Sequence, residues 1–307
     1  MQLLNALATE AALPHVELAN AIAALLTSGQ ASVPTRLVPE VSPGARLFVM
    51  PASDGDIAIT KLISLVPGNA ARGLPTIQGQ VVVFDAVDGR CLMSLDGPTV
   101  TARRTAAVSL LAALTLTQRR DGDVLIVGAG VQGKAHLEAF AKGLGLKRFW
   151  IASRSMSSAQ ALADHAHSLG LWAQAVNDPN EALAQCDWVL TCTPALSVCM
   201  NDMPKPGAFI SAVGAYTPAM AEWSREVCLA LSTSSRIVVD SRDADHEAGD
   251  LIQAGLNVTN YPTLADVLTS NRQALNPAGT GVFFHNCGWA GWDLAAARCA
   301  VKHLGSR

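Results

Sequence analysis

The stretch Asp123-Val-Leu-Ile-Val-Gly-Ala-Gly-Val-Gln-Gly-Lys-Ala-His136 decides the fold of this 307-residue chain. Asp123 to Val127 predict a short, fully buried strand, and the residues after the glycines follow a helical pattern. Gly128 permits a tight turn, Gly130 lets the backbone approach a pyrophosphate, and Gly133 allows the helix to pack against the strand. The motif in this context predicts dinucleotide binding, with the phosphates at the helix N-terminus. A purely structural turn is the alternative.

The residues that follow the glycine turn alternate between helical and strand patterns. The predicted helices are 131–143, 157–169 and 179–185, and the predicted strands are 149–153, 171–176, 187–193, 208–213 and 236–240. This alternation predicts an α/β domain of the Rossmann type, with a doubly wound parallel sheet. We place this nucleotide domain at residues 116–281.

Both ends of the chain follow other patterns. Residues 1–30 have helical spacing, with Pro14 predicted in the first turn of a helix that ends near Gly29. Short β-type runs follow at 46–50, 58–66 and 80–84, and Asp88-Gly89 predicts a hairpin to the run at 91–93. The tail at 288–304 is helical again and apolar on one face. We therefore predict a second, α+β domain built from both chain ends, residues 1–115 with 282–307.

Thr101 is predicted to cap a helix that runs from about Ala102 to Gln118. Arg103 and Arg104 would then stand in its first turn, where two cations oppose the helix macrodipole unless an anion binds there. This pattern is compatible with an anion site and equally with a pair of solvated arginines.

Composition excludes several classes of function. A net charge of −3 and scattered Lys and Arg provide no broad basic surface, so we expect no nucleic-acid partner. No apolar run approaches the roughly 20 residues of a membrane span. The seven cysteines form no C-x-x-C pair, which favours reduced thiols in the cytoplasm. His136 and His246 are interpreted as structural, and no group with metal-ligand spacing is found, so no metal is expected.

Several motifs occur in the order typical of one family. They are Lys61–Pro67, Gly73-Leu-Pro-Thr76, Thr101 with Arg104-Thr-Ala-Ala107, the glycine turn with Gln132, Ala212-Val-Gly-Ala215, and Glu247-Ala-Gly-Asp250. Over nearly its whole length the chain resembles the ornithine cyclodeaminase/mu-crystallin family of NAD(P)-binding proteins. The resemblance implies a Rossmann domain beside a dimerising substrate domain, and hence a homodimer. The apolar N-terminal and C-terminal helices, which have no obvious partner within a Rossmann domain, favour the same expectation.

The resemblance also implies which residues form the site. A substrate carboxylate would be held by Arg36, Lys61 and Arg104, which are the predicted catalytic residues, because carboxylates need charge-assisted donors. Lys61 is in addition the candidate for protonating or polarising the substrate nitrogen. Taken singly, each cation could be a surface charge or a structural ion pair, and for an isolated Lys61 that alternative is favoured. The joint match of the three positions favours the site instead. The predicted cofactor-binding residues are Thr76, Arg104, Gly128, Gly130, Val131, Gln132, Gly133, Ser153, Arg154, Thr193, Val213 and Gly214.

One position departs from the family pattern. In the cyclodeaminase and alanine dehydrogenase branches, an aspartate three residues after the glycine of the Ala212–Ala215 segment acts as acid and base. Tyr216 stands near that place here. A neutral phenol with a pKa of about 10 is a poor proton shuttle, so loss of ammonia is disfavoured. Members that reduce cyclic ketimines also lack this aspartate.

The resemblance therefore implies an oxidoreductase acting on C=N bonds. The expected reactions are reduction of Δ1-pyrroline-2-carboxylate to L-proline and of Δ1-piperideine-2-carboxylate to L-pipecolate. The alternatives are an alanine-dehydrogenase-like or cyclodeaminase activity, and a non-catalytic, NADPH-binding protein similar to mu-crystallin.

The segment after the second predicted strand of the nucleotide domain indicates the cofactor. Counting about 20 residues from Gly133 reaches Ser153-Arg154-Ser155, and no Asp or Glu occurs between Glu138 and Asp164. A carboxylate at this place accepts hydrogen bonds from the ribose of NAD, whereas an arginine accommodates the 2′-phosphate of NADP. We therefore expect NADPH, with NADH as the weaker alternative. Arg154 could instead cover the adenine.

Overall fold

The computed structural model describes residues 1–195, 197–270 and 279–305. It divides into two compact units, unit 1 with Met1–Thr105 and Trp289–Arg307, and unit 2 with Ala106–Gly288. The predicted boundaries are 115/116 and 281/282. Both 105/106 and 115/116 fall inside the helix Gly97–Leu116, and 281/282 falls inside the strand Gly281–His285. Parts of the predicted domains, residues 271–278 and 306–307, lie outside the described residues.

The helices are α1 (Ala6–Ala11), α2 (His15–Ser28), α3 (Gly97–Leu116), α4 (Val131–Leu144), α5 (Met156–Ser168), α6 (Pro179–Leu183), α7 (Arg225–Ser234), α8 (Ala244–Glu247), α9 (Gly249–Gln253), α10 (Leu264–Thr269) and α11 (Ala290–Gly305). The strands are β1 (Gln2–Leu3), β2 (Glu40–Ser42), β3 (Ala45–Ser53), β4 (Ile57–Leu65), β5 (Ile77–Asp85), β6 (Cys91–Asp96), β7 (Asp123–Val127), β8 (Arg148–Ala152), β9 (Trp172–Val176), β10 (Cys186–Thr191), β11 (Phe209–Ala212), β12 (Ser235–Val239) and β13 (Gly281–His285). Among the described helices, none combines the length and the apolar character needed to cross a membrane.

Unit 1 contains a six-stranded sheet with the strand order β1-β6-β5-β4-β3-β2. The predicted hairpin at Asp88-Gly89 is confirmed, because β5 and β6 pair antiparallel across it. Helix α11 packs on β3, β4 and β5, and α2 packs on α11. Since side chains alternate between the faces of a strand, Lys61 lies on the buried face of β4 together with Ile59 and Ile63.

The packing of α2 and α11 corrects one expectation. Both helices pack within unit 1 and bury apolar side chains there, although Val16 of α2 is exposed. The two helices therefore do have a packing partner within the chain. The apolar surface is instead the other face of the sheet. Its half-buried or exposed side chains include Leu47, Val49, Pro51, Leu62, Val82 and Phe84, contributed by β3, β4 and β5.

The predicted cap of α3 is wrong. The helix begins at Gly97, and Asp96 caps it, since its Oδ1 accepts a hydrogen bond of 2.9 Å from the backbone N of Thr99. Thr101 lies inside the helix and donates its hydroxyl to the carbonyl of Gly97. Aspartate is the stronger N-cap, and Pro98 beside it suits a first turn. Arg103 and Arg104 are therefore not in the first turn, and the helix-dipole argument for an anion there no longer applies.

Other differences concern short or flanking elements. Pro14 is the N-cap of α2, whereas the sequence pattern predicts it in the first turn. A separate short helix, α1, precedes α2, and the side chain of Asn5 caps α1 by accepting a hydrogen bond from the backbone N of Ala8. The predicted helix end at Gly29 is confirmed, with φ of 65°. Sequence reasoning missed β13, which follows the last predicted strand, and the helix α7, which lies between the predicted strands 208–213 and 236–240.

Unit 2 contains the predicted parallel sheet, with strand order β12-β13-β11-β10-β7-β8-β9 and every neighbouring pair parallel. The chain runs outward from β7 through β8 to β9, then crosses to β10 on the other side of β7. The order thus reverses between β7 and β10. Ligands of open α/β sheets bind at the carboxyl ends of the strands beside such a reversal.

A buried chain of hydrogen bonds ties α3 and α4 to the sheet of unit 2. His136 Nδ1 lies 2.8 Å from the carbonyl of Gln132, so in the neutral ring Nδ1 carries the proton and Nε2 accepts from Ser109, at 3.0 Å. The Ser109 hydroxyl in turn accepts from Ser211 and Asn286. His136 has a structural role in this network, and His246 is exposed.

Candidate active site

A cleft of about 650 Å³ opens in unit 2 at the carboxyl ends of β7, β8 and β10, where the strand order reverses. Seven of the predicted cofactor-binding residues line it: Gly128, Gly130, Val131, Gln132, Ser153, Arg154 and Thr193. Ser158, Asn177 and Cys199 also line the cleft and were not predicted. The position and the lining suit an elongated, phosphate-bearing ligand.

The three glycines have separate physical roles. Gly128 has φ of 109°, and a Cβ there would lie 2.5 Å from the carbonyl oxygen of Cys192. At Gly133 a Cβ would meet the carbonyl oxygen of Gly128 at 1.9 Å, so this glycine is required by the contact of α4 with the preceding turn. Gly130 faces open space. It therefore provides an uncovered backbone at the place where a pyrophosphate would approach.

The first turn of α4 provides donors for an anion. Gly130 is its N-cap and, having no side chain, gives no capping hydrogen bond. The backbone N–H groups at the start of a helix lack partners within the helix, and the helix dipole favours negative charge there. Because this turn is built from residues that line the cleft, it can hold a phosphate group.

Ser153, Arg154 and Ser155 lie together at the end of β8 and the start of α5. Ser155 is the N-cap of α5 and accepts from the backbone N of Ser158. Arg154 is exposed, and none of the described residues that line the cleft is acidic. A second phosphate group would meet one guanidinium and several hydroxyls here, with no carboxylate among them.

Glu222 shapes the loop after β10. Its Oε1 accepts from the backbone N of Thr193 at 2.7 Å, and its Oε2 accepts from Thr191 Oγ1 at 2.7 Å and from the backbone N of Gly214 at 2.8 Å. Burial and the neighbouring Asp250 raise the pKa of Glu222. With both oxygens engaged, Glu222 holds the loop after β10 in place.

Val213 and Gly214 do not line the cleft. Val213 continues the pairing of β11 by donating its backbone N–H to Thr191, and a Cβ at Gly214 would lie 2.3 Å from the carbonyl oxygen of Thr193. Cys192 and Cys199 do line it, but burial raises the pKa of Cys199 to about 12 and that of Cys192 well above its ordinary value. Both are neutral thiols at physiological pH, so neither is an activated nucleophile.

The predicted carboxylate-binding residues lie in unit 1, where Lys61 and Arg104 share a carboxylate. Lys61 Nζ lies 3.1 Å from Oδ1 and 3.3 Å from Oδ2 of Asp293, which is fully buried on α11. Arg104 Nε lies 3.4 Å from the same Oδ1, an ion pair without good hydrogen-bond geometry. Within the described chain, the two terminal nitrogens of Arg104 form no hydrogen bond. Two cations with one carboxylate leave an excess of positive charge.

Arg36 adds to this positive potential. Burial lowers the pKa of Lys61 to about 8, Asp293 opposes the decrease, and the charges of Arg104 and Arg36 contribute to it. A buried amine that titrates near pH 8 can give up and regain a proton under physiological conditions. The structure thus brings Lys61 and Arg104 together at one carboxylate, and the charge of Arg36 acts on the same lysine. Such a group of charges favours an anionic ligand. A contact of Arg36 with a ligand stays a prediction.

Thr76 and Arg104 belong to unit 1, so they are not among the cleft residues of unit 2. Thr76 lies just before β5, with its carbonyl accepting from the backbone N of Val66. Its contact with a cofactor stays a prediction, as does the contact predicted for Arg104.

Asp293 is the residue that sequence reasoning missed. It stands in the apolar run Trp289-Ala-Gly-Trp-Asp-Leu-Ala-Ala-Ala297, and a single carboxylate in such a run is a signal of a buried ion pair. Its partner Lys61 is 232 residues away in the sequence, so the pattern alone could not identify it.

The sequence profile of the ornithine cyclodeaminase/mu-crystallin family matches residues 2–305. The chain is 39% identical over 285 residues to Δ1-pyrroline-2-carboxylate reductase 1 of Burkholderia multivorans, covering 91% of this chain and 87% of the relative. It is 37% identical over 281 residues to the Δ1-pyrroline-2-carboxylate/Δ1-piperideine-2-carboxylate reductase of Azospirillum brasilense, covering 91% and 88%. Reductases of these imines are oxidoreductases that act on C=N bonds, and they confirm the predicted enzyme class.

The fold is similar to that of the Thermococcus litoralis Δ1-pyrroline-2-carboxylate reductase, which was solved in complex with NADH and L-proline. The TM-score is 0.90 at 24% identity, and the alignment covers 100% of this chain and 98% of the other. The predicted fold class is therefore confirmed.

Proposed function

Because the chain belongs to the ornithine cyclodeaminase/mu-crystallin family, we propose that it is an NADPH-dependent reductase of small cyclic imino acids. The proposed substrates are Δ1-pyrroline-2-carboxylate and Δ1-piperideine-2-carboxylate, which give L-proline and L-pipecolate. The observation that carries the proposal is the buried group of Lys61 and Arg104, which share one carboxylate and retain an excess of positive charge. A substrate carboxylate would balance that charge.

Each residue has a proposed part in the reaction. Arg104, whose terminal nitrogens are available, and Arg36 would bind the substrate carboxylate and so fix the position of the ring. Lys61 would donate a proton to the imine nitrogen, because its pKa of about 8 keeps it mainly protonated at neutral pH. The nicotinamide, when bound, supplies the hydride. The cleft residues around Gly130 and Arg154 would hold the cofactor phosphates.

The site is poorly suited to the loss of ammonia. Tyr216 stands near the place of the family aspartate and is 41% exposed. Glu222 is engaged by three donors, so it does not replace that aspartate. Reduction of a preformed cyclic imine needs one proton and no leaving group. Lys61 could supply this single proton, so the site is suited to the reduction.

A panel of substrates tests the reaction. Purified protein with NADPH should oxidise the cofactor when either cyclic imine is added, and much more slowly with pyruvate plus ammonia. Faster turnover of pyruvate plus ammonia would indicate an alanine-dehydrogenase-like enzyme. NADPH binding with no turnover of any of these compounds would indicate a non-catalytic, mu-crystallin-like protein.

Replacing Lys61 by Met should decrease kcat/KM for the cyclic imine while NADPH affinity stays nearly unchanged. Loss of a charge-assisted contact costs roughly 1.5–3 kcal/mol, which corresponds to about ten- to a hundredfold. The measurement is steady-state kinetics together with cofactor titration. Lys142→Met, which removes an exposed lysine of α4, is the matched control. If Lys61→Met has the same kinetics as the parent protein, Lys61 does not take part in the reaction.

NADPH preference depends on Arg154. Arg154→Asp should lower kcat/KM for NADPH by at least about tenfold and affect NADH much less, because a carboxylate repels a 2′-phosphate and accepts from a ribose hydroxyl. Arg225→Asp makes the same change of charge on α7 outside the cleft lining, and should have little effect. An unmutated protein that prefers NADH would contradict the proposal.

We also propose that the protein is a cytoplasmic homodimer, in keeping with seven free cysteines. The apolar face of the unit 1 sheet is the proposed interface, since exposed apolar patches commonly mark protein contacts. Leu62→Glu should convert the dimer to a monomer in sedimentation velocity at low micromolar concentration. Leu229→Glu, on α7, should not, although both leucines are similarly exposed, at 38% and 36%. A monomeric parent protein would refute the dimer.

A further inference from the structure

Asp293 connects three elements of unit 1 through one buried carboxylate. It lies on α11, is fully buried, and contacts Lys61 of β4 and Arg104 of α3. The contact with Arg104 is made through Nε, so the two terminal nitrogens of the guanidinium are not used. A carboxylate in this position can govern both the charge of Lys61 and the placement of Arg104.

The charges around Lys61 are unevenly balanced. The charged groups that act on it are Asp293 from α11, Arg104 from α3 and Arg36 from the segment before β2. Its paired neighbours on β3 and β5, Met50 and Val81, are apolar. Burial and two cations therefore favour the neutral amine, and one carboxylate favours the ammonium form.

We propose that Asp293 is a positioning residue that keeps Lys61 in its ammonium form and holds Arg104 through Nε for the substrate carboxylate. This inference rests on the proposed reductase function. In the step concerned, an N–H bond of the Lys61 ammonium breaks and an N–H bond forms on the imine nitrogen. Lys61 is left as a neutral amine beside Asp293 and takes a proton from water before the next turnover. A substrate carboxylate would add a second negative charge and strengthen the same effect.

The same helix offers a matched comparison. Arg298 of α11 pairs with Asp54 and Asp56 at the turn between β3 and β4. Asp54 is buried like Asp293, and it also joins α11 to the sheet, but it does not contact Lys61. If Asp293 only held the helix in place, neutralising either aspartate would have the same kind of effect. If Asp293 controls Lys61, only one of the two changes will alter the pH dependence.

Asp293→Asn should move the basic limb of the pH profile of kcat/KM for the cyclic imine to lower pH by about one unit or more, since one unit corresponds to 1.36 kcal/mol of interaction. The direction follows because the carboxylate stabilises the protonated amine, and its loss lets Lys61 lose the proton at lower pH. Asp293→Glu should return the limb toward the parental position. Asp54→Asn should leave the limb where it is. An unmoved limb in Asp293→Asn would overturn the proposal.

A second readout does not depend on turnover. In protein labelled with 15N-lysine, the Nζ resonance of Lys61, assigned with Lys61→Arg, should titrate at lower pH in Asp293→Asn than in the parent or in Asp54→Asn. Because this titration needs no substrate, it separates a failure of the Asp293 inference from a failure of the reductase proposal. If neither Asp293→Asn nor Asp293→Glu yields folded protein, Asp293 is a folding residue and the inference is wrong.

Discussion

The pairing of Lys61 and Arg104 with the buried carboxylate of Asp293 is the interaction on which unit 1 depends. It joins the strand β4, the helix α3 and the last helix of the chain, α11. Breaking a buried ion pair by removing one partner costs roughly 3–5 kcal/mol, because a charge is left without compensation. The two chain ends therefore have to assemble around the same group that is proposed to bind the substrate.

In unit 2, close contacts between backbone segments hold the site together, whereas in unit 1 charged side chains do so. A side chain at Gly133 would meet the carbonyl of Gly128 at 1.9 Å, and one at Gly128 would meet that of Cys192 at 2.5 Å. These contacts bring β7, α4 and the loop after β10 together at the reversal of strand order. Glu222 fixes the same loop with three hydrogen bonds. Contacts within the chain thus hold the backbone that lines the cleft, and a backbone held in this way reduces the ordering that binding requires.

Patterns among neighbouring residues predicted most of the nucleotide unit, but they could not predict contacts between residues that are far apart in the sequence. The glycine turn, the strands around it and the hairpin at Asp88-Gly89 each depend on neighbouring residues, so the sequence contains what determines them. The N-cap of α3 is wrongly predicted at Thr101. The true N-cap, Asp96, stands five residues earlier in the sequence. Strand β13 pairs between β11 and β12 although it follows both in the chain, and no periodicity indicates such an insertion. Asp293 was missed because only the folded chain brings it to Lys61.

The contacts of two buried acidic residues support the proposal of reduction over deamination. Release of ammonia from an amino acid needs a carboxylate that exchanges protons freely, at a place where water can reach the substrate. Here Asp293 pairs with two cations, Glu222 accepts hydrogen bonds from three donors, and Tyr216 stands near the place of the family aspartate. Burial lowers the pKa of Lys61 to about 8, and under the proposed function Lys61 would deliver one proton per turnover. In the proposed reaction, arginines would hold the substrate carboxylate, and the protein would then have to add only one proton to the ring nitrogen.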